Sequence, residues 1–203
     1  MLQLLGIPFR FFFRLCGWKI VGDMPTVPKW VGVVAPHTSN WDFFIMVAVK
    51  FITGEEGVFV GKHTIFRWPV RGLLKRLGGI PVERSRKNHL VETLVAEFAK
   101  RERMAFVSAP EGTRAYVPAF RTGFWAVATQ AQVPVVLLGL DFKRKAVIVS
   151  EAMDLSGDLE ADLARIHAFF RPVTARYPEL TFLNRPREGN PPAGSADAGP
   201  VTE

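Results

Sequence analysis

The stretch WVGVVAPHTSNWDFFIMVAVKFIT, residues 30–53, decides how the rest of the chain is read. Its first six residues, Trp30–Ala35, are apolar and β-branched enough for a strand. A short polar passage follows. Asn40–Thr53 is then long and apolar enough for a buried helix, with Asn40 placed to cap its N-terminus. A strand running through a polar loop into a helix is the building unit of an α/β sheet.

The same alternation recurs on both sides. Upstream, Trp18–Gly22 reads as a strand, separated by the proline-bearing turn Met24–Pro28. Downstream, Gly57–Val60 is a short strand, and Ile65–Leu77 is helical after Pro69. Gly79–Glu83 is a strand candidate weakened by Pro81. Asn88–Arg103 carries helical periodicity through Leu90, Leu94, Val95 and Phe98. Met104–Ser108 is a buried strand leading into the loop Ala109–Arg121. Thr122–Gln132 is a helix, Val133–Leu140 a core strand, Lys145–Ser150 another strand and Gly157–Arg176 an amphipathic helix. The pattern predicts an α/β fold with a mixed, largely parallel sheet flanked by helices.

At 203 residues the chain has the length of one domain, since domains take ~100–200 residues. The expected division is an amphipathic helix over 1–17, a single domain over 18–184 and a disordered tail over 185–203, where Pro, Gly, Ala, Ser and Asp dominate. Apolar residues make up 48% of the chain, which excludes whole-chain disorder and collagen-like structure. The single cysteine, Cys16, cannot form an internal disulfide, so a reducing compartment is the default.

The net charge is +7, and it is concentrated. Between Lys62 and Arg103 lie eleven Lys or Arg and four Glu, already +7, so the remainder is close to neutral. Such a patch invites phosphate: nucleic acid, an anionic membrane or a phosphorylated substrate. Aromatic usage helps to choose, with 17 Phe against 2 Tyr. Phe has no polar tip and suits acyl chains better than wet base stacking. No nucleic-acid motif occurs, so nucleic acid is not expected as a partner.

No segment reads as a membrane span, because Met1–Trp18 is broken by Pro8, Arg10 and Arg14. Nor does it carry the cleavage site of a secretory signal. Arg10 and Arg14 lie one above the other on a helix whose remaining surface is Leu and Phe. The expectation is a helix lying in a membrane interface, the alternative a helix packed on the protein's own core.

Three segments could carry chemistry. In APHTSNWDFF (35–44), His37 precedes the helix and Asp42 sits in its first turn, where the helix N-terminus keeps a carboxylate ionised. A paired carboxylate holds the imidazole tautomer, and the pair can act as a general base toward a hydroxyl. Alone the spacing is weak evidence, with roughly 0.14 chance occurrences expected in a chain of this composition. The plain alternative is a capping Asp beside a backbone-bonded His. In APEGTRA (109–115), which follows a core strand, Arg114 offers a planar fork to phosphate, Gly112 permits a close turn, and Glu111 could fix the loop or meet a substrate hydroxyl. The alternative is a surface loop with an internal Glu–Arg pair. In GGIPVERSR (78–86), Arg84 is a second candidate phosphate ligand, against a solvated basic run.

Two further patterns are rejected. Gly57–Thr64 (GVFVGKHT) imitates a P-loop, but its glycines are four apart where that loop needs five. No G-x-S-x-G occurs, and Cys16 has no nearby base, so a covalent mechanism is not expected.

Together these segments resemble one family, the lysophospholipid and glycerolphosphate acyltransferases, over roughly Trp18 to Leu140. HTSNWD matches the family's H-x-x-x-x-D block, Gly61–Lys62 followed by GGIPVER its second, PEGTR its third and VPVV (Val133–Val136) its fourth. The resemblance implies that His37 deprotonates an acceptor hydroxyl with Asp42 orienting it, and that the oxygen attacks an acyl thioester directly. It implies that Arg84 and Arg114 hold the acceptor's phosphate while Glu111, Gly112 and Thr113 shape that pocket, with Lys62 as a possible further ligand. It implies an acyl-CoA or acyl carrier protein thioester as co-substrate, no resident cofactor or metal, and a lysophospholipid acceptor, above all 1-acylglycerol-3-phosphate. It also implies an anionic membrane surface as partner, and peripheral, monotopic residence on the cytoplasmic face of a membrane. Pro36 stands where many members carry Asn, Glu83–Arg84 where an Asp–Arg pair is usual, and Ala115 where Ser is common. These departures bear on the acceptor. Competing readings are the same chemistry on another lyso-lipid, such as a lyso-aminolipid, or a non-catalytic protein of anionic membranes.

Overall fold

The computed structural model of the chain describes residues 2–55, 57–82 and 87–183. Helix α1 (Leu2–Leu15) precedes strands β1 (Lys19–Val21) and β2 (Lys29–Ala35), helix α2 (Trp41–Thr53) and strand β3 (Gly57–Lys62). Helix α3 (Arg71–Arg76), β4 (Gly79–Val82), α4 (Lys87–Lys100), β5 (Met104–Ser108) and α5 (Gly123–Ala131) follow. The chain closes through β6 (Val135–Asp141), β7 (Ala146–Val149) and α6 (Leu159–Phe170). The expected tail, residues 185–203, lies outside the described residues.

The strands form one seven-stranded sheet in the order β1-β7-β6-β2-β5-β3-β4. Neighbours are parallel except β6 and β7, which pair antiparallel with Leu140 opposite Val147. The expected mixed, largely parallel α/β sheet is therefore what forms. β2 lies at its centre between β5 and β6, and every residue of β6 is buried. An unbroken apolar run such as VVLLGL suits a parallel strand covered on both faces.

Side chains alternate along the strands and divide the core in two. Val31, Val33 and Ala35 point into one layer, with Leu94 and Phe98 of α4, Phe124 and Val127 of α5, and Ile166 and Phe170 of α6. Trp30 and Val34 point into the other, with Phe13 of α1 and Ile45, Ala48 and Val49 of α2. The connection from β3 through α3 to β4 advances across the sheet in the same direction as β2–α2–β3. Right-handed crossovers therefore put α3 on the same face as α1 and α2.

The first helix has two unlike sides. Phe9 stacks on Phe51 of α2 at a ring separation of 4.6 Å, and Phe13 is buried, so one side packs on the protein's own core. Ile7, Phe11, Phe12 and Leu15 remain exposed on the other side. None of the described helices is long and apolar enough to cross a membrane.

Three local differences from the sequence reading have physical causes. The last amphipathic helix stops at Phe170 instead of reaching Arg176: Arg171 still has helical backbone at φ −53°, ψ −42°, but Pro172 has no N–H with which to continue the ladder. The strand expected over Gly57–Val60 runs on to Lys62, because β4 pairs with it as far as Val82 opposite Lys62, and a 3-10 turn follows at His63–Ile65, in keeping with the rejected phosphate loop. Asn40 does not cap α2 with its side chain: its backbone is already helical at φ −64°, ψ −26°. Ser39 supplies the cap instead, its Oγ accepting from the Trp41 N–H at 3.2 Å.

Candidate active site

β2 and β5 are parallel neighbours, with Val33 level with Ser108. The loops that leave their C-terminal ends, 36–40 and 109–114, therefore emerge side by side. This is the end of an α/β sheet where ligands bind. The sheet register alone brings the HTSNWD and PEGTR segments together.

Asp42, in the first turn of α2, is buried and aims back along the preceding loop. Its Oδ2 lies 3.0 Å from His37 Nδ1 and also accepts from the Ser39 N–H at 2.9 Å. With an anion at Nδ1, the proton belongs on that nitrogen, which leaves Nε2 as the base. The imidazole keeps 23% of its surface, so a substrate hydroxyl can reach it, while the carboxylate behind it keeps 1%. The expected His–Asp pair thus has hydrogen-bond geometry.

Glu111 takes the loop-fixing role out of the two expected for it. Its side chain is buried, one carboxylate oxygen accepts the His37 backbone N–H, and the other accepts the Thr181 hydroxyl at 3.4 Å. Burial pushes its pKa up to about 7, opposed by the bond from the His37 N–H and by the imidazole's charge. An occupied, buried carboxylate does not bind phosphate. It anchors the PEGTR loop to the backbone of His37.

Gly112 turns that loop at φ +65°, in the left-handed region. A Cβ there would stand 3.1 Å from the guanidinium carbon of Arg121, so the glycine lets Arg121 lie across the loop. Thr113 Oγ1 accepts from the Ala115 N–H at 3.3 Å, tightening the same turn. Arg114 is exposed, and its Nη1 donates to Asn40 Oδ1, which ties it to the HTSNWD segment. Arg84 and the side chain of Lys62 lie outside the described residues.

The sequence reading missed Arg121 and Arg176. Arg121 is exposed, its N–H bonds the Pro110 carbonyl at 2.9 Å, and its guanidinium lies against Gly112 of the same loop. Its signal was available: a basic residue closing the same Gly- and Pro-bearing loop. Arg176 had no local signal. Its guanidinium lies 6.0 Å from the Trp41 ring and 5.7 Å from the rings of Phe142 and Tyr177, while the Tyr177 N–H donates to Thr38 Oγ1 at 3.2 Å. The segment after α6 thus packs against the loop that carries His37.

An accessible imidazole backed by a buried carboxylate can abstract a proton from a hydroxyl, and exposed guanidinium groups on the neighbouring loop can meet an anion. No curated protein and no solved structure matches the chain significantly. The family model described as Acyltransferase matches residues 27–140, which spans both loops and the strands β2 to β6 that present them. This chain belongs to the acyltransferase family, that of the glycerolphosphate and lysophospholipid acyltransferases.

Proposed function

We propose that the protein moves a fatty acyl group from an acyl thioester, carried by CoA or acyl carrier protein, to the free hydroxyl of a lysophospholipid in phospholipid synthesis. The acceptor that fits first is 1-acylglycerol-3-phosphate. The observation that carries this reading is the 3.0 Å contact between His37 Nδ1 and Asp42 Oδ2 beside the exposed Arg114. Mere lipid binding needs no oriented base.

In the proposed reaction, His37 Nε2 takes the hydroxyl proton as the oxygen attacks the thioester carbonyl carbon. The buried Asp42 stabilises the imidazolium that forms. When the tetrahedral intermediate collapses, the carbon–sulfur bond breaks and the imidazolium returns the proton to the departing thiolate. The acyl group passes directly between substrates. Arg114 and Arg121, with Arg84 and Lys62 as the further cations of the proposal, hold the acceptor's phosphate. The base then meets its hydroxyl at hydrogen-bond range, the orientation that makes transfer effectively unimolecular. Pro36 and Glu83 favour a second reading, the same transfer to a different lyso-lipid. Residence is proposed at the cytoplasmic surface of an anionic membrane.

The test is purified protein with labelled acyl thioesters and a panel of lyso-acceptors, read by lipid mass spectrometry. Transfer to lysophosphatidic acid supports the first reading, and transfer only to another lyso-lipid the second. Transfer to none, where a control enzyme works, refutes both in favour of a binding protein.

A further inference from the structure

We infer that the loop leading into α3 is a second membrane-insertion point, with Trp68 as its wedge and anionic lipid headgroups as the partner of the cations around it. This rests on the proposed action at a membrane surface, but names a contact on a different element from α1.

Trp68 is 91% exposed, and Leu73 on the following helix is 59% exposed. Tryptophan is costly to leave in water, and it is the residue enriched where one end of a side chain meets hydrocarbon and the other headgroups. Arg67, Arg71, Lys75 and Arg76 surround it in sequence, and no Asp or Glu occurs anywhere from Gly57 to Val82. All four cations are exposed. An exposed apolar tip among exposed cations, on a stretch of chain without acidic residues, is complementary to an anionic bilayer.

The topology gives this loop its place. β3 runs parallel to β5 and β2, so the chain leaving β3 starts at the same end of the sheet as His37. The right-handed crossover then puts α3 on the α1–α2 face. Trp41 and Phe44, in the first turn of α2, are exposed at 57% and 60% at that end and on that face. α1 packs on α2 through Phe9 and Phe51, and it leads into Lys19, which is level with Ala146 and so with Asp141 at the C-terminal end of β6; its C-terminal end therefore lies at the same end of the sheet, with Phe11 and Phe12 exposed on the way there. Arg14 accompanies them, whereas Arg10 donates to the Ile52 carbonyl at the other end of α2, and residues 1–22 also contain no Asp or Glu. Insertion at α1 alone leaves the molecule free to rotate about that helix. A second point beyond α2 fixes which end faces the lipid, and that end is the one where His37 opens.

The test uses the full chain and sucrose-loaded vesicles of phosphatidylcholine, with and without phosphatidylglycerol. Trp68→Ala is expected to weaken partitioning about tenfold on both kinds of vesicle, because the loss is of apolar contact. Arg67→Gln and Arg71→Gln are expected to weaken it about fivefold each, only on the anionic vesicles and less as salt rises. Since Trp68 touches little, its removal should leave the urea midpoint unchanged, so a loss of binding reads as lost contact. Quenching of tryptophan emission by brominated lipid should fall in Trp68→Phe. Partitioning of Trp68→Ala equal to the parent protein overturns the inference. So does a lipid-free dimer that Trp68→Ala abolishes, which would make a second copy the occupant. Trp68-dependent binding without any acyl transfer leaves the wedge standing and refutes the proposed function. Transfer in detergent micelles with Trp68-independent vesicle binding does the reverse.

Discussion

Glu111→Gln separates the electrostatic cost of the buried carboxylate from its positioning role. The carboxyl group is raised from 4.5 to about 7 by burial. At about 1.36 kcal/mol per pKa unit this is worth about 3 kcal/mol. Because the folded-state pKa lies above the unfolded one, the contribution to stability is fully present below about 4.5. It is lost as pH rises to about 7, and is constant beyond. Glutamine mimics the protonated acid and does not titrate. Its amide oxygen can still accept the His37 N–H that Glu111 now accepts. Urea unfolding of both proteins from pH 4.5 to 8 isolates the group, since all other titrations cancel in the difference. Glu111→Gln should match the parent at the acid end and exceed it by up to about 3 kcal/mol at pH 8. Acyl transfer should be largely retained in Glu111→Gln and lost in Glu111→Ala, which leaves the His37 N–H without its acceptor. Parallel stability curves across this range would refute the burial argument.

His37→Ala should reduce transfer by about 10²–10⁴-fold. Asp42→Asn should lose most activity, and the double variant should be little worse than His37→Ala, which steady-state kinetics with saturating thioester will check. Arg114→Lys keeps the charge but loses the fork, so the acceptor's KM should rise about tenfold with the thioester's KM nearly unchanged. Gly112→Ala should cost about 1–2 kcal/mol for its positive φ and displace Arg121 as well, measurable as a lower urea midpoint together with a raised acceptor KM. Deleting residues 1–16 would uncover Phe51, so the cleaner probe of α1 is Phe11→Gln with Phe12→Gln: sedimentation with anionic vesicles should fall while the urea midpoint holds.

What the residues determine by themselves is whatever is settled within a turn or a strand. The alternation of apolar strands and amphipathic helices predicts an α/β sheet, and the unbroken run VVLLGL becomes a fully buried central strand. The His37–Asp42 pair is equally local: five positions across a loop into a first helical turn bring Nδ1 and Oδ2 to 3.0 Å. The cap of α2 shows how narrow that local legibility is. Asn40 and Ser39 are both capping residue types, and backbone dihedrals within the loop decided for Ser39. Other features belong to the tertiary structure alone. Glu111 reaches the His37 N–H across 74 residues only because β2 and β5 pair in parallel with Val33 level with Ser108. The same pairing converts a surface glutamate of the sequence into a buried one with a raised pKa. Arg176 joins the site because Pro172 stops α6 at Phe170 and turns the chain back over Trp41. Local propensity acts over a few residues, whereas burial, charge and proximity at this site are set by which strands become neighbours in the sheet.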